Sequence, residues 1–170
     1  DVRRDDVVLP DGTETDFHYV DEPAAVVVLP FTSDGDVVVI DEWRQAVGRT
    51  NRGLPAGSVE PGDDDIVAAA RRELREETGY TADDVAHLCT VEPSNGIADS
   101  VHHHFVARGC VPDGDRELDF NESISVTTVD YETVLAAAVA GDLRDGRAVL
   151  ALTQYELRNG VGAAPSRPFR

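Results

Sequence analysis

The chain has 170 residues, of which 33 are acidic and 15 basic, giving a formal net charge of −18 with 41% hydrophobic content. That length suits one domain with a real core, spanning 1–170 with no linker or internal repeat. No apolar run is long enough to cross a bilayer, no signal-peptide pattern opens the chain, Cys89 and Cys110 build no disulfide framework, and so acidic a surface repels nucleic-acid backbones, which together favour a cytoplasmic protein with no membrane or nucleic-acid partner.

Residues 6–9 and 15–20 read as two short strands around an Asp11-Gly12 turn. Residues 24–30 and 36–41 carry the β-branched runs AVVVLP and DVVVI, joined by Ser33-Asp34-Gly35, and read as buried strands of a hairpin. Glu42-Trp43-Arg44 follows. Arg44 suits a phosphate, because a guanidinium matches phosphate oxygens bidentately. The chain has no lysine and no GxxxxGK[ST] loop, so arginines must do any cationic work. The competing use of Arg44 is an ion pair with a surface acid. Trp43, the single tryptophan, either stacks on a base or fills the core, with the core the stronger expectation. Pro55 and Gly57 shape a tight turn.

The stretch 57–80, GSVEPGDDDIVAAARRELREETGY, holds the chemistry. A helix is expected to open in the Asp63-Asp64-Asp65 run, since Asp caps helix starts and acids suit the positive end of the dipole. Gly79 is the natural stop. Glu73, Glu76 and Glu77 stand at i, i+3 and i+4 and so point to one side, beside an apolar stripe of Val67, Ala70 and Leu74. Arg72, four residues before Glu76, can pair with it. Like charges at this spacing cost about 0.2–0.5 kcal/mol per pair on an exposed helix. A hard divalent cation removes that penalty, and an oxygen-only donor set suits Mg²⁺ or Mn²⁺ rather than Zn²⁺. The alternative is an ordinary solvated acidic helix.

After the helix, 85–91 and 100–107 read as strands around the loop Glu92-Pro93-Ser94-Asn95-Gly96. His102, His103 and His104 fall inside the second strand, where hydrogen-bonded or exposed imidazoles are the expectation and a transition-metal site the alternative. Residues 111–121 form an acidic loop, 131–140 an alanine-rich helix and 147–158 a closing amphipathic helix. The tail 160–170 is expected to be loose.

Residues 72–80, Arg-Glu-Leu-Arg-Glu-Glu-Thr-Gly-Tyr, match the REUxEExGU half of the Nudix box at every fixed position, and LPAGSVEPG at 54–62 resembles the loop of the ADP-ribose pyrophosphatase branch. The chain therefore resembles a Nudix hydrolase from about residue 18 to 157. Gly57 to Arg72 is one residue longer than the family spacing, and the first box glutamate is an aspartate, either Asp63 or Asp64. The resemblance implies a single α/β/α sandwich around a mixed β-sheet, with the box helix on one face. It implies Glu73, Glu76 and Glu77 as metal ligands, completed by the Ala56 carbonyl. It implies Mg²⁺-dependent hydrolysis of the diphosphate in a nucleoside diphosphate linked to X, with ADP-ribose or a related NDP-sugar foremost. The general base would be a box glutamate, Glu76 or Glu77, or a loop acid, Glu122 first and Glu117 second. Glu42-Trp43-Arg44 resembles the branch's Q-Y-R, and Pro93, Ser94 and Gly96 its P-S-P-G loop with Asn95 at the second proline, so Arg44, Trp43 and Gly96 are the substrate-binding candidates. An N-terminal sheet in 1–20 would help form a homodimer. Nucleoside triphosphates, dinucleoside polyphosphates and a non-catalytic nucleotide sensor remain the competing readings.

All 15 basic residues are Arg, and Asp outnumbers Glu 21 to 12. So large a charge strains a compact state in dilute buffer, whereas at molar salt the Debye length falls to about 3 Å. A high-salt, halophilic cytosol is the expectation.

Overall fold

Two strands with side chains buried on both faces make the centre. In β3 (Ala25–Thr32), Val26 and Val28 pack to one side, and Val27 and Leu29 to the other. In β4 (Val37–Arg44), Val38 joins the first group while Val37 and Val39 join the second. A strand covered on both faces has no solvated side to fill with polar residues, hence the unbroken valine runs. The computed structural model describes residues 1–114, 116–118 and 123–160.

The sheet is mixed and eight-stranded. It runs β10 (Ile124–Val129), β4, β3, β9 (His102–Pro112), β7 (Tyr80–Thr81). Three further strands pair onto this path: β5 (Arg49–Gly53) on β4, β6 (Ala56–Ser58) on β3, and β8 (Asp84–Val91) on β9. β3 and β9 run parallel, with Val27 opposite His104; the other pairings are antiparallel. The expected turn at Pro55-Gly57 is instead the start of β6, where Ala56 pairs with Val27. The chain leaves β4 through β5 and joins β3 through β6 within a few residues, and this crossing positions the loop over the helix described next.

Helix α1 (Ile66–Thr78) covers one face with Ala69, Ala70 and Leu74. It starts where the acidic run ends: Asp65 accepts from Val67 N and Ala68 N, both at 2.8 Å. It stops at Gly79, whose φ of 74° is left-handed. Helices α2 (Tyr131–Ala140) and α3 (Gly146–Gly160) cover the other face with Val134, Ala148, Ala151 and Leu152. The layers are thus α/β/α, as expected.

An N-terminal hairpin, β1 (Val2–Val8) and β2 (Glu14–Val20), forms a separate two-stranded sheet. It is tied to the body by Val20 N to the Ile97 carbonyl at 2.8 Å and Asp99 N to the Val20 carbonyl at 3.1 Å. Among the described residues, no helix is long and apolar enough to cross a membrane. Cys89 and Cys110 are free thiols.

Candidate active site

The three glutamates of α1 open onto a cleft of about 500 Å³. Gly57, Ser58 and Glu60 line it from the β6 side, and Glu117 lines it from the acidic loop. Glu77 is 3% exposed, and its Oε2 accepts from Ala56 N at 2.9 Å. That bond ties the helix to the LPAG segment and explains why a carboxylate tolerates burial there. Glu73 is 8% exposed, and its carboxylate lies against Gly57; a Cβ at residue 57 would overlap it. Glycine is needed at 57 for this approach, not for a turn.

Arg72 is the cation of the site. Its Nη1 donates to Glu73 Oε1 at 2.8 Å and to Glu76 Oε2 at 2.9 Å. Its Nε and Nη2 each meet Asp63 at 3.0 Å, and Nη2 also reaches the Ser58 carbonyl at 2.8 Å. The bonds to Asp63, then those to Glu76 and Glu73, hold the guanidinium above its ordinary range against the opposing effect of burial. Reciprocally, Arg72 holds the Asp63 carboxyl below the usual range. Asp63 also accepts from Glu60 N at 2.8 Å, whereas Asp64 is exposed. Of the two aspartates at the first box position, Asp63 is thus the one that meets the Arg72 guanidinium.

Glu117 joins this group through its backbone and its side chain. Its N–H donates to the Glu76 carbonyl at 3.0 Å, and its carboxylate takes Arg75 at 2.8 Å. Glu122 lies outside the described residues. Arg44 does not line the cleft; it sits at the end of β4, paired with Glu42 at 2.6 Å. Trp43 is 49% exposed, which corrects the core expectation; its Nε1 donates to Gln45 at 3.0 Å. Trp43 lies past the buried run of β4 and pairs with the exposed Thr50 of β5, so the ring stays at the surface. Gly96 also lies outside the cleft, on the exposed loop that docks beside the N-terminal hairpin.

Sequence reasoning passed over Asp145 and Arg147 at the start of α3. Asp145 caps the helix, accepting from Arg147 N and Ala148 N at 2.9 and 3.0 Å, and grips the Arg147 guanidinium at 2.9 Å. Burial opposes the Arg147 charge, but Asp145, Glu42 and Glu77 together raise it above its ordinary value. No local pattern around residue 147 points to these partners.

Among the described residues, no three His, Cys, Asp or Glu side chains converge as a ready metal cage. Arg72 and Ala56 N engage the α1 carboxylates instead. The donor chemistry nonetheless fits a hard cation: carboxylate oxygens crowd a polar cleft, and no thiol or imidazole is among them. The His102 and His104 rings lie 6.5 Å apart on the α3 side, and among the described residues no third ligand joins them.

The NUDIX domain family matches residues 21–150. An ADP-ribose pyrophosphatase of Bacillus subtilis (strain 168) is 33% identical over 164 residues, covering 96% of this chain and 88% of the relative. A methanol dehydrogenase activator of Bacillus methanolicus is 30% identical over 158 residues, covering 92% and 85%. The crystal structure of an ADP compounds hydrolase superposes with a TM-score of 0.80 at 24% identity, over 95% of this chain and 87% of that one, which bears on the fold alone. On the match over most of its length and on the box residues just placed, the chain belongs to the NUDIX domain family.

Proposed function

We propose that the protein hydrolyses the diphosphate bond of a nucleoside diphosphate linked to a second group, with ADP-ribose the foremost substrate and AMP and ribose 5-phosphate the products. The observation that carries this reading is the cleft lined by Glu73, Glu76, Glu77 and Glu117 together with Arg72. The similarity to a pyrophosphatase named for ADP-ribose supports the substrate class.

Glu73, Glu76 and Glu77 would hold Mg²⁺, with Mn²⁺ as an alternative and the Ala56 carbonyl as a further oxygen. When bound, such an ion offsets diphosphate charge and acidifies a water ligand. The protein's own groups set up the rest. Arg72 orients Glu73 and Glu76. Ala56 N fixes Glu77. A glutamate takes the proton of the attacking water as its oxygen bonds to phosphorus and the bridging oxygen departs with the second phosphate. Glu76, Glu77 and Glu122 are the candidates for that base, and Glu117 supports the same role from inside the cleft. Arg44 binds phosphate, the exposed ring of Trp43 offers a stacking face for the base, and Gly96 shapes the far loop.

Product analysis tests this. With ADP-ribose, Mg²⁺ and molar KCl, equal amounts of AMP and ribose 5-phosphate are expected. Absence of both, with turnover of nucleoside triphosphates instead, would overturn the substrate assignment.

We also place the protein in a halophilic cytoplasm, on the strength of its −18 charge and lysine-free basic set. Its melting temperature should climb steeply between dilute buffer and 2 M KCl, and a flat profile contradicts the assignment. We further propose a homodimer built on the N-terminal hairpin, where Val2, Val8 and Phe17 are exposed on a two-stranded sheet that is marginal alone. Sedimentation as a monomer at micromolar concentration would exclude it.

A further inference from the structure

Glu42 has no part in the mechanism above, yet it is a carboxylate only 8% exposed. Burying a carboxylate is costly unless it is paired, so its surroundings need a reason. On one side the Arg44 guanidinium lies 2.6 Å from its Oε2. The other side leads to the start of α3. Gly53 of β5 pairs with Ile40 of β4, and a Cβ on Gly53 would point at the Asp145 carboxylate, 3.3 Å from Oδ2. Paired antiparallel residues project to the same side, as do residues two apart on one strand. Glu42 therefore leaves β4 on the side that Asp145 occupies. Asp145 holds Arg147 at 2.9 Å, and Glu42 adds to the stabilisation of the Arg147 charge. Two ion pairs of alternating sign, Asp145 with Arg147 and Glu42 with Arg44, are thus linked through the field of Glu42 on Arg147.

We infer that Glu42 is a positioning residue for Arg44, itself braced by Arg147 and Asp145, and that the linked pairs aim the Arg44 guanidinium at the substrate diphosphate. The inference rests on the diphosphatase reading, since Arg44 needs a phosphate to meet. A free arginine side chain carries large rotamer entropy, and a fixed partner removes that freedom before substrate arrives, so binding loses less. The need is acute here. In a chain with 33 acidic residues, an untethered arginine has many other carboxylates to find.

Steady-state kinetics with ADP-ribose and Mg²⁺ test it on wild type, E42Q, R44Q and the double variant, with R147M and R147K in the other ion pair. E42Q should raise KM about tenfold and leave kcat within about twofold, the mark of lost binding rather than lost chemistry. The double variant should match R44Q alone, because Glu42 acts only through Arg44. R147M should follow E42Q, and R147K should recover most of the KM. A wild-type KM in E42Q, or losses that add in the double variant, overturns the inference. A second measurement needs no turnover. The Arg44 Nη–H resonance, assigned by its absence in R44Q, should stand apart in wild type and move to the free-arginine position in E42Q; an unmoved signal overturns the inference. If wild type releases no AMP from ADP-ribose, the diphosphatase reading fails on its own, and the resonance still reads the Glu42–Arg44 contact.

Discussion

On the α1 side of the sheet, every nearly buried acid has a partner: Glu73 takes Arg72 at 2.8 Å, and Glu77 takes Ala56 N at 2.9 Å. On the α3 side lies His104, two residues along β9 from Val106, which packs with α3. His104 is wholly buried, and neither ring nitrogen has a hydrogen-bond partner among the described residues. The two regions deal with burial by different means. Burying a charged carboxylate is costly unless it is paired. An imidazole can discard its charge. Burial first, then the charges of His102 and Arg147, push the His104 pKa down to about 4. Asp145 pulls the other way but does not prevail. The paired carboxylates can do chemistry with charge, whereas His104 is uncharged near neutral pH.

The largest effect should come from breaking the paired side at its most buried member. E77Q keeps the shape of the side chain and an oxygen for Ala56 N but loses the charge. Turnover should fall by a factor of roughly 10² or more with an unchanged circular dichroism spectrum. Near-wild-type turnover in E77Q would remove Glu77 from the metal set.

G57A attacks the same side by shape alone. The new methyl must displace the Glu73 carboxylate. A loss of kcat of about tenfold to a hundredfold is expected, with about 1–3 kcal/mol of stability. An active, fully stable G57A protein would show that the Glu73 approach to residue 57 is dispensable.

The unpaired side can be read by pH. Above the unfolded value of about 6.5, His104 is neutral in both states and costs nothing. As pH falls, the unfolded chain takes up a proton that the folded chain refuses until about 4. Stability is therefore full above pH 6.5 and is lost on the way to pH 4, by on the order of 3 kcal/mol from this residue. Burial also lowers the pKa values of His102 and His103, so they add in the same direction. The H104L variant should flatten the melting profile between pH 7 and 4.5. An identical slope in both proteins would mean that His104 takes its proton inside the fold.

The smallest effect sharpens how α1 is held. D65A removes the cap on Val67 N and Ala68 N and should lower the unfolding free energy read from urea titration by about 1 kcal/mol, with turnover close to wild type. A large loss of activity would mean that the first turn of α1 helps place the glutamates ten residues on.

Much of this was legible locally. The Asp65 cap, the Gly79 stop and the shared side of Glu73, Glu76 and Glu77 follow from helix period and backbone chemistry, which act within a few residues. So do the two valine strands and the Asp11-Gly12 hairpin. β5 and β6 were not legible, because RTNRG and AGS carry no alternation of their own and are strands only by virtue of pairing with β4 and β3. The exposure of Trp43 was misjudged because an aromatic after a buried strand says nothing about where the burial ends.

The amino-acid order by itself determined that three carboxylates share one flank of a capped helix, since a helix repeats regardless of its surroundings. Only the tertiary structure decided that Arg72 would be gripped by Asp63, that Gly57 would press on Glu73, and that Asp145 would approach Gly53. These are meetings between segments that fold back on one another, and the geometry of return depends on how the whole sheet closes rather than on any neighbouring residue.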